Sequence, residues 1–311
     1  MAIPTGTLTS SSTISNLVQT AYDQYVRMAL RSIPVMRALA DVKPVQQAMP
    51  GSSVVFSIYS DLSTATGTLT ETSDVSSVAL GNPSQVTVTL NEYGNAVTTT
   101  KKLNLTSFND VDAALADVIA YNAADSIDVV VANVLTSGTN VIYGGTATGT
   151  SGITASGTMT VADIREAVVQ LRTNKAVPRI GELYAAYLHP RQSADLRAEA
   201  GTGGFQELTK YVDRTPFVAG AVGVLEGAFI VETPRVPSAA NTQSPAVTVY
   251  SAIVAGREAL AEATVQDTSV VIGPEIDALR RFRTIGWYYF GGFARLREAS
   301  LYRIETATSI N

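Results

Sequence analysis

Few residues in this chain could do covalent or metal chemistry. Its one histidine, His189, ends the apolar run "LYAAYLHP", and there is no cysteine. An imidazole works as a base when a nucleophile is held against it, or as one metal ligand among several. No G-x-S-x-G elbow is present, and a lone histidine without thiolates does not complete a typical zinc set. His189 therefore reads as structural. The glycine-rich stretches "GGTATGTSG" (144–152) and "GTGGF" (201–205) lack the lysine of a phosphate-binding loop and the spacing of a dinucleotide site, so they read as flexible loops. Two carboxylate pairs remain: Asp110/Asp112, placed to support a helix N-terminus, and Glu275/Asp277, in a turn after Gly273-Pro274. "ALRRFR" gathers Arg280, Arg281 and Arg283, a set suited to a phosphate or, preferably, to acids of the same or a neighbouring subunit. No catalytic, cofactor-binding or metal residue is assigned, and no enzyme is visible.

A second cluster is aromatic. "GWYYFGGF" (286–293) holds the only tryptophan, Trp287, then Tyr288, Tyr289 and Phe290 before a glycine pair. Such a run suits a ligand platform, a membrane-interface belt, or a strand buried on both faces.

Composition narrows the class. Of 311 residues, 46% are hydrophobic and only 16% charged, against about 25% in ordinary soluble domains. A surface so poor in charge suits a protein covered largely by copies of itself. The net charge of −5 argues against a general nucleic-acid binder. "MAIPTGTLTSSSTIS" lacks the basic and apolar regions of a secretion signal, and no apolar run of about 18 residues was found, so cytoplasmic assembly without a membrane is expected.

The elements that position these residues follow from periodicity. Residues 1–12 have the composition of a flexible tail, which a neighbouring subunit is expected to hold; 13–31 read as an amphipathic helix, followed by an extended connection marked by Pro34, Pro44 and Pro50. From Gly51 to Thr100 the alternation predicts one long antiparallel hairpin. This stretch contains no Lys or Arg but does contain Asp61, Glu71, Asp74 and Glu92. It is either a solvated acidic loop or an arm that docks on a basic patch of another copy. A rod helix is expected over 108–136, with an apolar stripe of Val111, Leu115, Val118, Ile119, Ala123, Ile127, Val130 and Val134 and a loose capping box at Ser107/Asp110. A surface loop or short hairpin follows, then a second helix capped by Thr160 and Asp163 with Val161, Ile164, Val168 and Leu171 inward. "LYAAYLHP" reads as a buried strand, "RQSADLRAEA" as a short helix, "GAVGVLEGAFIVETPRVP" as strand–turn–strand, and the rest as strands.

In this order the chain resembles the major capsid proteins of tailed bacteriophages, with the α+β Hong Kong 97-type fold, and most closely their podovirus-type branch. The resemblance is carried by "PGSSVVFS" (50–57), "EYGNAVTTTKKLNLTSFNDV" (92–111), "GELYAAYLHPRQSADLR" (181–197), "GAVGVLEGAFIVETPRVP" (220–237) and "RFRTIGWYYFGGFARLREASLYRIET" (281–306). It implies an N-terminal arm (1–50), an extended loop (51–100) that overlaps a neighbour, and a peripheral domain (101–180) with its spine helix at 108–136. It further implies an axial domain (181–255) and strands returning to the peripheral domain (256–311). Trp287 and Tyr289 would lie on a core strand against the spine helix, with neighbours on its other face and the glycine pair allowing a bulge or close backbone approach. The implied function is structural: self-assembly as pentamers and hexamers into an icosahedral head in the virion, assembled in the host cytoplasm and enclosing double-stranded DNA without sequence-specific binding. Implied partners are a separate scaffolding protein, a portal and a decoration protein. The extended loop has no lysine for an isopeptide weld, so stabilisation is expected to be noncovalent, with Asp61, Glu71 and Asp74 meeting arginines of an adjacent subunit. An encapsulin-like nanocompartment shell shares the fold and is the alternative.

Overall fold

The computed structural model describes residues 34–44, 51–59, 61–106, 111–199 and 223–310. The expected helix at 13–31 and the Ser107/Asp110 cap lie outside them. Strands are β1 (Ala40–Pro44), β2 (Ser53–Ile58), β3 (Ser84–Thr89), β4 (Asn91–Thr100), β5 (Val141–Tyr143), β6 (Tyr184–Leu188), β7 (Val224–Leu225), β8 (Ala228–Glu232), β9 (Ser238–Ala240), β10 (Thr248–Ala255), β11 (Leu260–Ile276), β12 (Phe282–Arg295) and β13 (Leu301–Thr306). Helices are α1 (Lys101–Thr106), α2 (Val111–Thr136), α3 (Val161–Thr173) and α4 (Pro190–Ala198).

Two sheets share the work. A four-stranded sheet runs β1-β11-β12-β4, with β1 parallel to β11 and the rest antiparallel. A seven-stranded sheet runs β5-β13-β10-β6-β8-β7, with β9 added on β10. The rod α2 packs on the first sheet, where Ile119, Ala123, Ile127, Val131 and Leu135 meet Ile285, Trp287 and Tyr289. The second sheet is covered on one face by α3, whose Ile164, Val168 and Leu171 meet Tyr184, Ala186 and Val254. Its other face, through Ala185, Tyr187 and Ile253, joins the core around α2. Strand β6 is thus buried at every position, which is why "YAAYL" is apolar without alternation. Thr160 and Asp163 form the expected reciprocal capping box on α3, and its whole expected stripe is buried.

Several expectations need correction. The long hairpin to Thr100 is short: β2 and β3 pair over six positions only, and β4 leaves to pair with β12 from Gly291 to Phe282. Alternation does not show which partner a strand takes, so both halves looked like one ribbon. The connection after Pro34 is not simply extended: a 3-10 turn at Met36–Leu39 buries Met36 and Leu39 completely, and β1 follows it. On α2, Val131 and Leu135 are buried, whereas Val118 is 38% exposed and Val130 and Val134 are only half-buried. The helix is sandwiched between parts of both sheets, which turns its buried face away from the simple stripe. The stretch after α2 is no hairpin, because β5 pairs parallel with β13. The seven-stranded sheet draws α3, β5 and β13 to itself from well-separated parts of the chain. Finally, Leu115–Thr136 does reach the length and apolarity of a bilayer-crossing helix, with mean hydropathy 1.4. Its buried residues against Trp287 and Tyr289, and the ion pair on its Asp125, make it a core helix.

Candidate functional site

The excursion between β2 and β3 is the most exposed part of the described chain. Residues 61–82 form no strand or helix, and every one of them is exposed. Asp61, Glu71 and Asp74 lie here beside Leu62, Leu69, Val75, Val78 and Leu80, which are 57–76% exposed. Five apolar side chains held in solvent on a segment without its own core mark a surface made to be covered. The excursion is rooted firmly. Phe56, Val88 and Leu90 pack on Ala261, Ala263 and Phe290, so the hairpin base covers the face of β12 opposite α2.

The arginines sit at the other end of β12. Asp277 to Arg280 turn the chain between β11 and β12, with Arg280 in the left-handed region at φ 52°. Arg281 Nε donates to Asp277 Oδ2 at 2.6 Å, an ion pair within the chain. Arg283 pairs with Thr99 in the sheet, and Lys101 N–H donates to the carbonyl of Arg281 at 2.8 Å as α1 begins. Lys101 and Lys102 therefore join Arg280, Arg281 and Arg283 in one exposed basic corner, with Leu279 and Leu105, 71% and 77% exposed, beside it. From Arg283 to Phe290 is about 23 Å of strand, so one copy holds its acids and its basic corner at opposite ends of β12. The two lysines were missed in the sequence because nothing there showed that β4 ends beside the start of β12.

Between these surfaces lies the aromatic strand. Trp287 is 5% exposed and donates from Nε1 to Asn122 on α2 at 2.9 Å. Tyr289 is fully buried and donates to Glu262 Oε1 at 3.0 Å. Burial first, and then the Glu262 charge, pushes the Tyr289 phenol far above its ordinary pKa. Glu262, also fully buried, is held bidentately by Arg37, with Nη2 at 2.6 Å and Nε at 3.1 Å, and Arg37 reaches Asp267 as well. Trp287 and Tyr289 are therefore buried in the core around α2. The second face is covered within the chain near Phe290, by the hairpin, where contact with neighbours had been expected. A side chain at Gly292 would overlap the Thr89 carbonyl, which gives the glycine pair its role of close approach; the bulge lies opposite Gly291, on β11 between Thr264 and Gln266.

A further polar group was not foreseen. Asp128, 1% exposed on α2, accepts the backbone N–H groups of Met36 at 2.6 Å and Arg37 at 3.2 Å. Burial pushes its carboxyl above the ordinary range, and those two donors and Arg235 oppose the shift. The signal for Asp128 and Glu262 was an acid within an apolar stretch of helix or strand, where only a paired charge is tolerated. His189 proves to be a helix cap: its Nδ1 accepts from Arg191 N–H at 3.2 Å, and its ring lies tilted against that of Tyr250 with centroids 4.4 Å apart. Burial and the nearby Arg191 hold its imidazole below its ordinary pKa.

The fold is shared with solved phage capsid chains. Over 99% of this chain and 97% of the other, it is similar to the capsid chain of cyanophage P-SCSP1u, with 17% identity and a TM-score of 0.73. The capsid of Ralstonia phage GP4 matches at 16% identity and TM-score 0.75, covering 98% and 99% of the two chains. The head of Helicobacter pylori bacteriophage KHP40 matches at 14% and 0.73, covering 99% and 100%. At such identities the likeness establishes the fold, which is the α+β Hong Kong 97-type capsid fold. A search of curated protein sequences finds no match. The model of the family described as phage capsid protein matches residues 9–310, and the chain belongs to that family. It is a structural major capsid protein, a component of the virion shell.

Proposed function

We propose that this chain assembles as pentamers and hexamers into the icosahedral head that encloses a phage's double-stranded DNA, in the host cytoplasm, with a separate scaffolding protein, a portal and a decoration protein. The shell holds DNA without reading its sequence, and the chain carries out no catalysis. The four-stranded sheet with α2 serves as the peripheral domain, the seven-stranded sheet with α3 as the axial domain, and the segment before Gly51 as the arm. The single observation that carries the reading is the exposed excursion of residues 61–82, with five apolar residues and three acids on a rigidly rooted base. In the shell it lies on an adjacent copy, where Asp61, Glu71 and Asp74 meet cations, the basic corner of Arg280, Arg281 and Arg283 among them. Obligate contacts of this kind bury upwards of about 2,000 Å².

Electron microscopy of the purified protein, expressed with its phage's other head proteins, tests this. Closed icosahedral particles of phage-head size are expected. Small uniform shells packed with protein cargo would favour the encapsulin-like compartment instead, and a chain that never assembles would overturn the shell reading.

A further inference from the structure

The two ends of β12 carry features that fit each other. At its start, the turn from Asp277 to Arg281 holds an apolar side chain out in water: Leu279 is exposed, and so is Arg280 beside it. The turn is stiff. Asp277 and Arg280 are both left-handed, at φ 88° and 52°, and Arg280 N–H donates to the Asp277 carbonyl at 2.8 Å. The Asp277 carboxylate accepts from Ala278 N–H at 2.8 Å and from Arg281 Nε at 2.6 Å. Leu279 is thus presented on a preformed knob that carries cations, and little ordering is left for a partner to impose. Just past the other end of β12, a cleft of about 660 Å³ opens at the foot of the excursion, within the ~300–1,000 Å³ of ordinary binding clefts. Phe56, Ile58, Tyr59 and Leu296 give it apolar walls, and three carboxylates, Asp61, Glu258 and Glu298, line it with one guanidinium, Arg297. Glu298 is engaged by Thr139 and Arg295, whereas Asp61 and Glu258 form no ion pair among the described residues. Glu258 is itself fixed in a left-handed turn at φ 58°, its N–H bonded to Asp41 at 2.7 Å.

We propose that this cleft is the seat for the 277–281 turn of a second copy of the chain. Leu279 enters among Phe56, Ile58 and Leu296, and Arg280 meets Asp61 and Glu258. The occupant follows from complementarity: an apolar cleft with an excess of carboxylates faces an exposed leucine flanked by arginines. One copy cannot fill its own cleft, because β12 sets knob and cleft about 40 Å apart. The contact is heterologous, since each copy gives its turn to one neighbour and receives a turn from another. It therefore propagates from copy to copy and closes into rings instead of stopping at a dimer. The proposal rests on the shell reading and gives Asp61 a defined partner, leaving Glu71 and Asp74 to other cations.

The chain has no cysteine, so one disulfide can be placed across the contact. L279C and Y59C, both at exposed positions, are introduced together into the full chain, which is expressed with the other head proteins, purified and mildly oxidised. A bridge needs Cα atoms about 4.4–6.8 Å apart, so the two cysteines cannot join within one chain. A ladder of dimers and higher multimers on a non-reducing gel is expected. Closed particles without a ladder overturn the contact and leave the shell reading intact, and a different protein seated in the cleft of such particles would name the other occupant. A ladder without particles supports the contact and overturns the shell reading; neither ladder nor particles overturns both. An equal ladder from L279C with V129C, an exposed position that does not line the cleft, means random collision and overturns the contact. Should the cysteine pair fail to fold, a charge exchange decides independently. R280E is expected to lower particle yield several-fold with the melting temperature unchanged, and E258R added to it is expected to restore the yield. An unchanged yield in R280E, or no restoration by E258R, overturns the proposal.

Discussion

The carboxylate of Asp128 closes the turn that Met36 opens: its Oδ1 accepts the Met36 N–H at 2.6 Å, across 92 residues of chain. A side chain from the middle of the rod helix thus does the work of an N-cap for the 3-10 turn at Met36–Leu39, whose Val35 gives no side-chain cap of its own. Asp128→Ala leaves two N–H groups, one of them buried, without acceptors and should cost about 2–3 kcal/mol. Asp128→Asn keeps an acceptor oxygen and should cost clearly less. Thermal unfolding followed by Trp287 emission measures both.

The pH dependence of that site has a definite sign. Burial raises the folded-state pKa of Asp128 above its unfolded value, so the folded chain binds the proton more readily than the unfolded one. Its ionisation therefore costs stability at neutral pH, and the cost is relieved as pH falls through the raised folded pKa. The charged and titratable groups around it are Arg37, Asp125, Arg235 and Tyr187. The stability of the native chain relative to Asp128→Asn should rise on acidification from neutral toward about pH 4. Melting curves of both proteins across that range decide it, and a relative loss in acid would contradict the assignment.

Glu262 joins three elements through one buried carboxylate. Glu262→Ala removes the acceptor of the Tyr289 hydroxyl and of the Arg37 fork together. Losing one partner of a buried pair costs about 3–5 kcal/mol; Arg37 is 35% exposed and keeps Asp267, so about 2–3 kcal/mol is expected. Denaturant unfolding should show the fall in midpoint.

Gly292→Ala places a methyl group against the Thr89 carbonyl. Overpacking of this kind costs about 1–3 kcal/mol, and here the hairpin base must lift from β12 to relieve it. Limited proteolysis should show faster cleavage on both sides of β2–β3 while the far-ultraviolet dichroism stays unchanged.

Reversing Asp61, Glu71 and Asp74 to lysine together should leave the melting temperature of the unassembled chain where it was, because all three are exposed in it. Particle yield and the heat stability of particles should fall. Unchanged yield and heat stability would remove the acidic contact from the assembly scheme.

The sequence revealed elements more readily than their partners. Capping residues and period announced α3, and the unbroken apolar run of β6 announced a strand covered on both sides. Nothing local showed that β4 abandons the β2–β3 hairpin for β12, or that β13 crosses to the seven-stranded sheet, since pairing depends on contacts far apart in the chain. The same holds for the site. Arg280, Arg281 and Arg283 were visible as a run, while Lys101 and Lys102 joined them only through the register of two strands. Asp128 and Glu262 were passed over although each is an acid among apolar neighbours, and their cations, Arg235 and Arg37, could not be named without the fold.

The rooting of the hairpin has a mechanical consequence. Its two strands leave the same base, so a pull on the tip at residues 61–82 stretches β2 and β3 together and does not slide one past the other. Their six-position register carries little shear. The tension passes instead to the seat of Phe56 and Val88 on Phe290, and from there into the strand that holds Trp287 and Tyr289. A load applied at the most exposed part of the described chain is borne by the strand that carries the fully buried Tyr289.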